Sequence, residues 1–138
     1  MTLNTQVSTK EVIRVGDAAY ASKTVNVMLC SIGVTGYTAE TTVADWQANA
    51  EISGNGYSMY TEALSAAPVG VYNTSTGQYE IPVITAVFTA AGGSLTYDRL
   101  VIYITGETYV HSVLTENPEI TLVDGQTQTY KIYLSTDD

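Results

Sequence analysis

Apolar side chains recur in this chain with a period of two, and that spacing constrains its fold more than any other feature. Leu100, Ile102 and Ile104 alternate with Arg99, Val101 and Tyr103, and Tyr130, Ile132 and Leu134 alternate with Thr129, Lys131 and Tyr133. Successive side chains on a strand point to opposite faces, so each run presents an apolar face inward and sends the other set outward, Tyr103 and Tyr133 among them. Composition agrees. The chain carries 11 Tyr against one Phe and one Trp, and branched or aromatic side chains lose less freedom on a pleated sheet than against a helical turn.

The same reading extends along the chain. Strand character is expected at 11–20 and 24–32, the second central because apolar residues fill both of its faces. It returns at 57–64, at 68–72 and 78–90 around the polar turn 73–77, at 99–104, at 108–114 beyond Gly106, and at 127–134 beyond the Asp124-Gly125 turn. Pro82 removes a backbone donor, which suits an edge or a bulge. Between 37 and 52 the period changes: Thr42 and Asp45 have capping-box spacing, and Val43, Trp46 and Ala50 share one helical face. One short helix is expected there, closed by Ser53-Gly54-Asn55-Gly56, residues that tolerate positive φ.

Strands joined mainly by turns, without the helices that parallel crossovers need, predict an all-β fold. The expected form is an antiparallel β-sandwich, jelly-roll-like, with a closed barrel as the alternative. At 138 residues, without linker composition or a fixed-period repeat, the chain is expected to form one domain over 11–138. Residues 1–10 are polar and weakly patterned, a frayed terminus or an arm that orders on a neighbour.

Charge narrows the partners. Five Lys and Arg face 14 Asp and Glu, a formal net charge of -9, which repels nucleic-acid phosphates and anionic lipid heads. No apolar run approaches the roughly 20 residues of a membrane-spanning helix, and the N-terminus lacks the basic start and apolar core of a secretory signal.

Candidate chemistry is sparse. Cys30 is the only cysteine, so a cysteine zinc site is excluded and a small core residue is expected, with an intermolecular bridge as the other use. His111 is the only histidine. Placed within a strand, it would point away from its neighbour Ser112, and no Gly-x-Ser-x-Gly elbow exists. Glu40, Asp45, Glu51, Glu62, Glu80, Asp98, Glu107, Glu116 and Glu119 lie beside turns or alternate with apolar neighbours, where a solvated face would place them. Asp124, Asp137 and Asp138 offer oxygens for weak calcium binding, but a turn and a charged tail account for them. Hence no catalytic, cofactor-binding or metal residue is assigned, and an enzyme is not expected. Outward Tyr, with large contact area and little side-chain entropy to lose, suits a binding surface, and equally a cover for the sheet's second face or a neighbouring loop.

Two stretches carry a resemblance: ADWQANAEISGNGY at 44–57, and the C-terminal third from YDRLVIY at 97–103 through Asp124-Gly125-Gln126-Thr127 to Asp138, together about half of the chain. Here the chain resembles small β-rich virion proteins of tailed bacteriophages, including cyanophages. The resemblance implies a structural protein of the virion exterior, made in the host cytoplasm. Its implied role is capsid decoration or cement, binding the outside of the major capsid protein lattice and itself as a homodimer or homotrimer. A tail-fibre or receptor-binding module that adheres to host-surface glycans is the alternative. No site motif accompanies the resemblance.

Overall fold

A computed structural model describes residues 8–33, 36–67 and 69–136. These are predominantly β, with antiparallel pairing in every ladder whose register is resolved and two helices. They fall into two compact units. One is drawn from Met1–Lys23, Ala63–Ile84 and Lys131–Asp138, the other from Thr24–Glu62 and Thr85–Tyr130. Each unit is assembled from separate stretches, so no continuous linker marks the boundary.

In the larger unit, β1 (Thr24–Cys30), β2 (Tyr60–Ala63), β6 (Leu95–Ile104) and β7 (Ser112–Leu122) form a sheet of order β2-β1-β6-β7. The expected central strand 24–32 is thus the interior strand β1. Pairings Val25↔Ile104, Val27↔Ile102 and Leu29↔Leu100 put six buried aliphatic side chains on one face. Met28, Cys30, Val101 and Tyr103 occupy the other, beneath the second helix, α2 (Val43–Asn49). Thr42 caps α2 by accepting the Asp45 N–H at 3.2 Å, and its fully buried Trp46 drives into the Met28, Cys30 and Val101 cluster. Tyr37 meets the Trp46 ring edge-on, with centroids 5.4 Å apart, and the indole N–H donates to the Thr38 carbonyl at 3.2 Å. The helix expected from the 42–50 pattern is therefore present, as is the left-handed turn beyond it: Gly54, Asn55 and Gly56 all have positive φ.

A two-stranded ribbon of β5 (Ile84–Thr89) and β8 (Thr127–Ile132) completes the β structure of the larger unit. Ile84, Ala86 and Phe88 are buried while Thr85, Val87 and Thr89 are exposed, the alternation of a half-covered strand. Phe88 stacks on Tyr57 and meets Tyr130 edge-on. Tyr130 and Tyr97 share a 2.6 Å hydroxyl hydrogen bond. This aromatic series joins the ribbon to the sheet.

The smaller unit corrects the sequence reading. Residues 11–20 do not form a strand, and the chain has more than one helix: α1 (Thr9–Tyr20) covers the region. Ser8 accepts the Glu11 N–H at 3.1 Å, an N-cap that favours the helix over the strand pattern of 11–20. Val12, Gly16 and Tyr20, spaced by four, form the buried side. Of the expected arm at 1–10, residues 8–10 are the cap and first turn of this helix, and residues 1–7 lie outside the described residues.

Against α1 packs the sheet β3-β4-β9, made of β3 (Val71–Asn73), β4 (Gln78–Glu80) and β9 (Ser135–Thr136). The hairpin around 73–77 is present, with Tyr72↔Tyr79 in register. The run expected at 78–90 is two strands broken at 81–83, with Pro82 in the break. Tyr79 is fully buried, and its ring occupies the space where any side chain at Gly16 would begin, 2.2 Å from the position of a Cβ. Its hydroxyl donates to Asp17 Oδ1 at 2.5 Å and accepts the Gly70 N–H at 2.6 Å. The same Asp17 oxygen accepts the Val69 N–H at 3.1 Å. A half-buried carboxylate, its Oδ1 accepting two hydrogen bonds, thus ties helix, strand and loop together.

Candidate binding surface

Strand β7 ends the four-stranded sheet, and no other described strand pairs with its outer edge. Its inner edge pairs Leu100 with Leu114 and Val101 with Val113. Val113 packs on the Trp46 cluster. Leu114 continues the opposite apolar face to the margin, where 48% of its surface is exposed. The register then breaks: Tyr97↔Ile120 and Arg99↔Thr115 leave Asp98 opposite residues 116–119. That irregular segment contains the cis Asn117-Pro118 bond and rims an open concavity of about 460 Å³ with Asp98, Arg99, Glu116 and Glu119. Asp98 accepts the Ile32 N–H at 3.1 Å and lies 3.4 Å from the Arg99 guanidinium. The sequence reading missed this gathering of carboxylates, because it depends on an irregularity between two strands. Pro118 and the flanking Glu residues were the available signal.

The approach to β7 supplies a second correction. His111 precedes the strand, in a bend, and its Nδ1 shares a 2.8 Å hydrogen bond with Ser112 Oγ. The expected opposition of neighbouring side chains applies only within a strand. His111 also donates its backbone N–H to Ile102 at 2.7 Å, and desolvation by burial lowers its imidazole pKa. With Glu107 and the exposed Tyr109 it lines a shallow concavity of about 220 Å³. The His111–Ser112 pair joins sequence neighbours at an open surface.

The other sequence candidates divide by environment. Cys30 is buried, and desolvation, then the charges of Glu51 and Asp98, push its thiol pKa up to about 12. It is the expected small core residue and a poor nucleophile at neutral pH. Tyr103, expected outward, is instead only 8% exposed, because α2 covers its face. Its hydroxyl accepts from Gln47 at 3.0 Å and donates to Met59 Sδ at 3.3 Å. Tyr133 does face outward and is 75% exposed.

Glu51 accepts the Tyr57 hydroxyl at 2.6 Å, Glu62 that of Tyr60 at 2.9 Å, and Glu80 an Asn73 amide at 3.2 Å. Burial is the first cause of the raised Tyr57 pKa, followed by its bond to Glu51. Asp45 belongs to the cap of α2, while Glu40 and Glu107 are exposed. Asp124 accepts the Gly92 N–H at 2.9 Å. Asp137 and Asp138 lie outside the described residues. Among the described residues no group of three His, Cys, Asp or Glu side chains is arranged to hold a metal ion, and no helix is long and apolar enough to cross a membrane.

No protein-family model matches the chain. No curated protein or solved structure matches it either. The candidate surface therefore rests on its own geometry.

Proposed function

We propose that the protein is a structural component of a tailed-bacteriophage particle, a decoration or cement protein that binds the outside of the major capsid protein lattice and stabilises it. The β7 edge is the observation that carries this reading. Eleven residues of strand lie at the sheet margin, with backbone donors and acceptors directed outward and Leu114 carrying apolar surface to the rim. A strand or arm from a lattice subunit can add to such an edge, pairing those groups and covering Leu114.

Other features support it. The irregular 116–119 segment, with its Pro and carboxylates, interrupts the edge and so discourages indiscriminate pairing. A net charge of -9 disfavours contact with packaged nucleic acid and favours a partner surface rich in Lys and Arg. A homodimer or homotrimer would occupy several symmetric lattice sites at once and gain avidity without new contacts.

The test is rebinding of the purified protein to capsids depleted of it. Saturable binding at fixed stoichiometry, with raised capsid disruption temperature, is expected. Leu114→Lys, at an exposed position, should weaken it. Absence of binding would sink the proposal. Attachment to host cells with no affinity for capsids would instead favour the receptor-binding alternative.

A further inference from the structure

Strand alternation gives the sheet of the smaller unit two chemically different faces. Tyr79 points into the packing against α1, so its neighbours Gln78 and Glu80 project from the opposite face. The pairs Val71↔Glu80 and Asn73↔Gln78 bring Val71 and Asn73 onto that same side. It is open: Val71 is 69% exposed, and Tyr133 at its border is 75% exposed. Gln78, Glu80, Ile81, Tyr133 and Leu134 line a concavity of about 340 Å³, at the lower end of the roughly 300–1,000 Å³ typical of small-ligand sites. Buried Ile81 and Leu134 provide its apolar element, and Asn73 orients the Glu80 carboxylate from 3.2 Å.

We infer that this concavity binds an uncharged pyranose residue of a glycan. An aromatic ring is amphipathic in the way a sugar is: its face meets the C–H groups of the pyranose, while neighbouring polar side chains meet the hydroxyls at the ring edge. Tyr133 supplies the face. Glu80 supplies an acceptor able to engage two hydroxyls. A rigid aromatic that is already exposed costs little entropy when bound. Charge sets the class of sugar. Glu80 lies in the wall and the chain carries -9 overall, so sialic and uronic acids are repelled and neutral or N-acetylated hexoses are accepted.

The experiment needs only the isolated full chain, and its outcome is separate from capsid binding. Amide chemical shifts are followed during titration with glucose, lactose and tri-N-acetylchitotriose, with glucuronate as the charged control. At least one neutral sugar is expected to give saturable shifts with a Kd of the order of millimolar, confined to 78–81 and 133–134. Tyr133→Ala should weaken binding at least about tenfold. Because Tyr133 is exposed, the variant should keep its circular dichroism spectrum and Tm. Glu80→Gln should weaken binding less. Absence of saturable shifts with every neutral sugar, equal binding of glucuronate, or undiminished binding by folded Tyr133→Ala would each overturn the inference. Loss of capsid rebinding in Tyr133→Ala without any sugar response would mark this face as a protein contact and overturn it equally.

Discussion

Replacing Gly16 with Ala should destabilise the protein, although in most helices the same change stabilises. Gly in a helix interior is about 1 kcal/mol worse than Ala, and Ala also reduces the freedom of the unfolded chain. Here a Cβ would lie 2.2 Å from Tyr79 Cγ and Cδ1, far inside van der Waals contact. The ring has nowhere to move. It is fully buried, and its hydroxyl is held by Asp17 on one side and Gly70 on the other. Overpacking a well-filled core costs typically about 1–3 kcal/mol, sometimes more. A clash this close belongs at or above the top of that range, so after the helical gain the net loss is about 2 kcal/mol. That corresponds to a fall in Tm of roughly 5–10 °C for a chain of this size.

Urea unfolding followed by circular dichroism, together with calorimetry, measures the loss. A double-mutant cycle gives its cause: in a Tyr79→Ala background, which removes the clashing Cγ, Cδ1 and Cε1 atoms, Gly16→Ala should become neutral or stabilising, a coupling of at least about 1 kcal/mol. Stabilisation of the wild-type protein by Gly16→Ala, or an equal penalty in both backgrounds, would refute the packing of α1 on β4.

Three further expectations are direct. Trp46→Ala should cost about 3–5 kcal/mol, seen as a lower urea midpoint, because the indole is fully buried at the centre of the α2 cluster; a loss below about 1 kcal/mol would contradict that placement. Asn26, only 3% exposed, donates to Thr105 Oγ1 at 2.9 Å and accepts from Thr61 at 3.0 Å, so Asn26→Ala should cost about 1–3 kcal/mol, with an unchanged urea m-value. Alkaline stability follows from two groups: folding raises the Cys30 pKa from 9.0 to about 12 and the Tyr79 pKa from 10.0 to about 12, burial being the first cause in each. Folded-state values above the unfolded ones mean that the native state holds these protons more tightly. Their contribution is complete below about pH 9 and is lost as the pH rises towards 12. Calorimetry across that range should show Tm falling, and at pH 8 an aromatic disulfide reagent should reach Cys30 only once urea unfolds the chain.

Legibility in the sequence followed the distance over which each feature is decided. The strand at 99–104, the Thr42 cap with Trp46 and Ala50 behind it, the positive-φ turn at 54–56 and the hairpin around 73–77 are set by residues within a few positions of one another, and all are present. Helix α1 was misread because 11–20 contains both patterns. Its apolar residues fit a strand as well as a helix, and Gly16 argues locally against a helix. What makes Gly16 acceptable is the Tyr79 ring, more than 60 positions away in the chain. The candidate surface divides likewise. Tyr133 was legible because the alternation of β8 continues past its end at Ile132, whereas Tyr103 shows the same local pattern yet lies beneath α2.

The sequence by itself therefore determined the antiparallel β character, the α2 helix and most turns. Only the tertiary structure decided that 9–20 is helical, that Tyr103 is covered and Tyr133 is not, that β7 is left as an edge among the described strands, and that Asp98, Glu116 and Glu119 line one concavity beside a broken register. The physical reason is common to all four. Periodicity and capping act between neighbours in the chain, while burial and edge status depend on which distant segment arrives to cover a face or pair a strand.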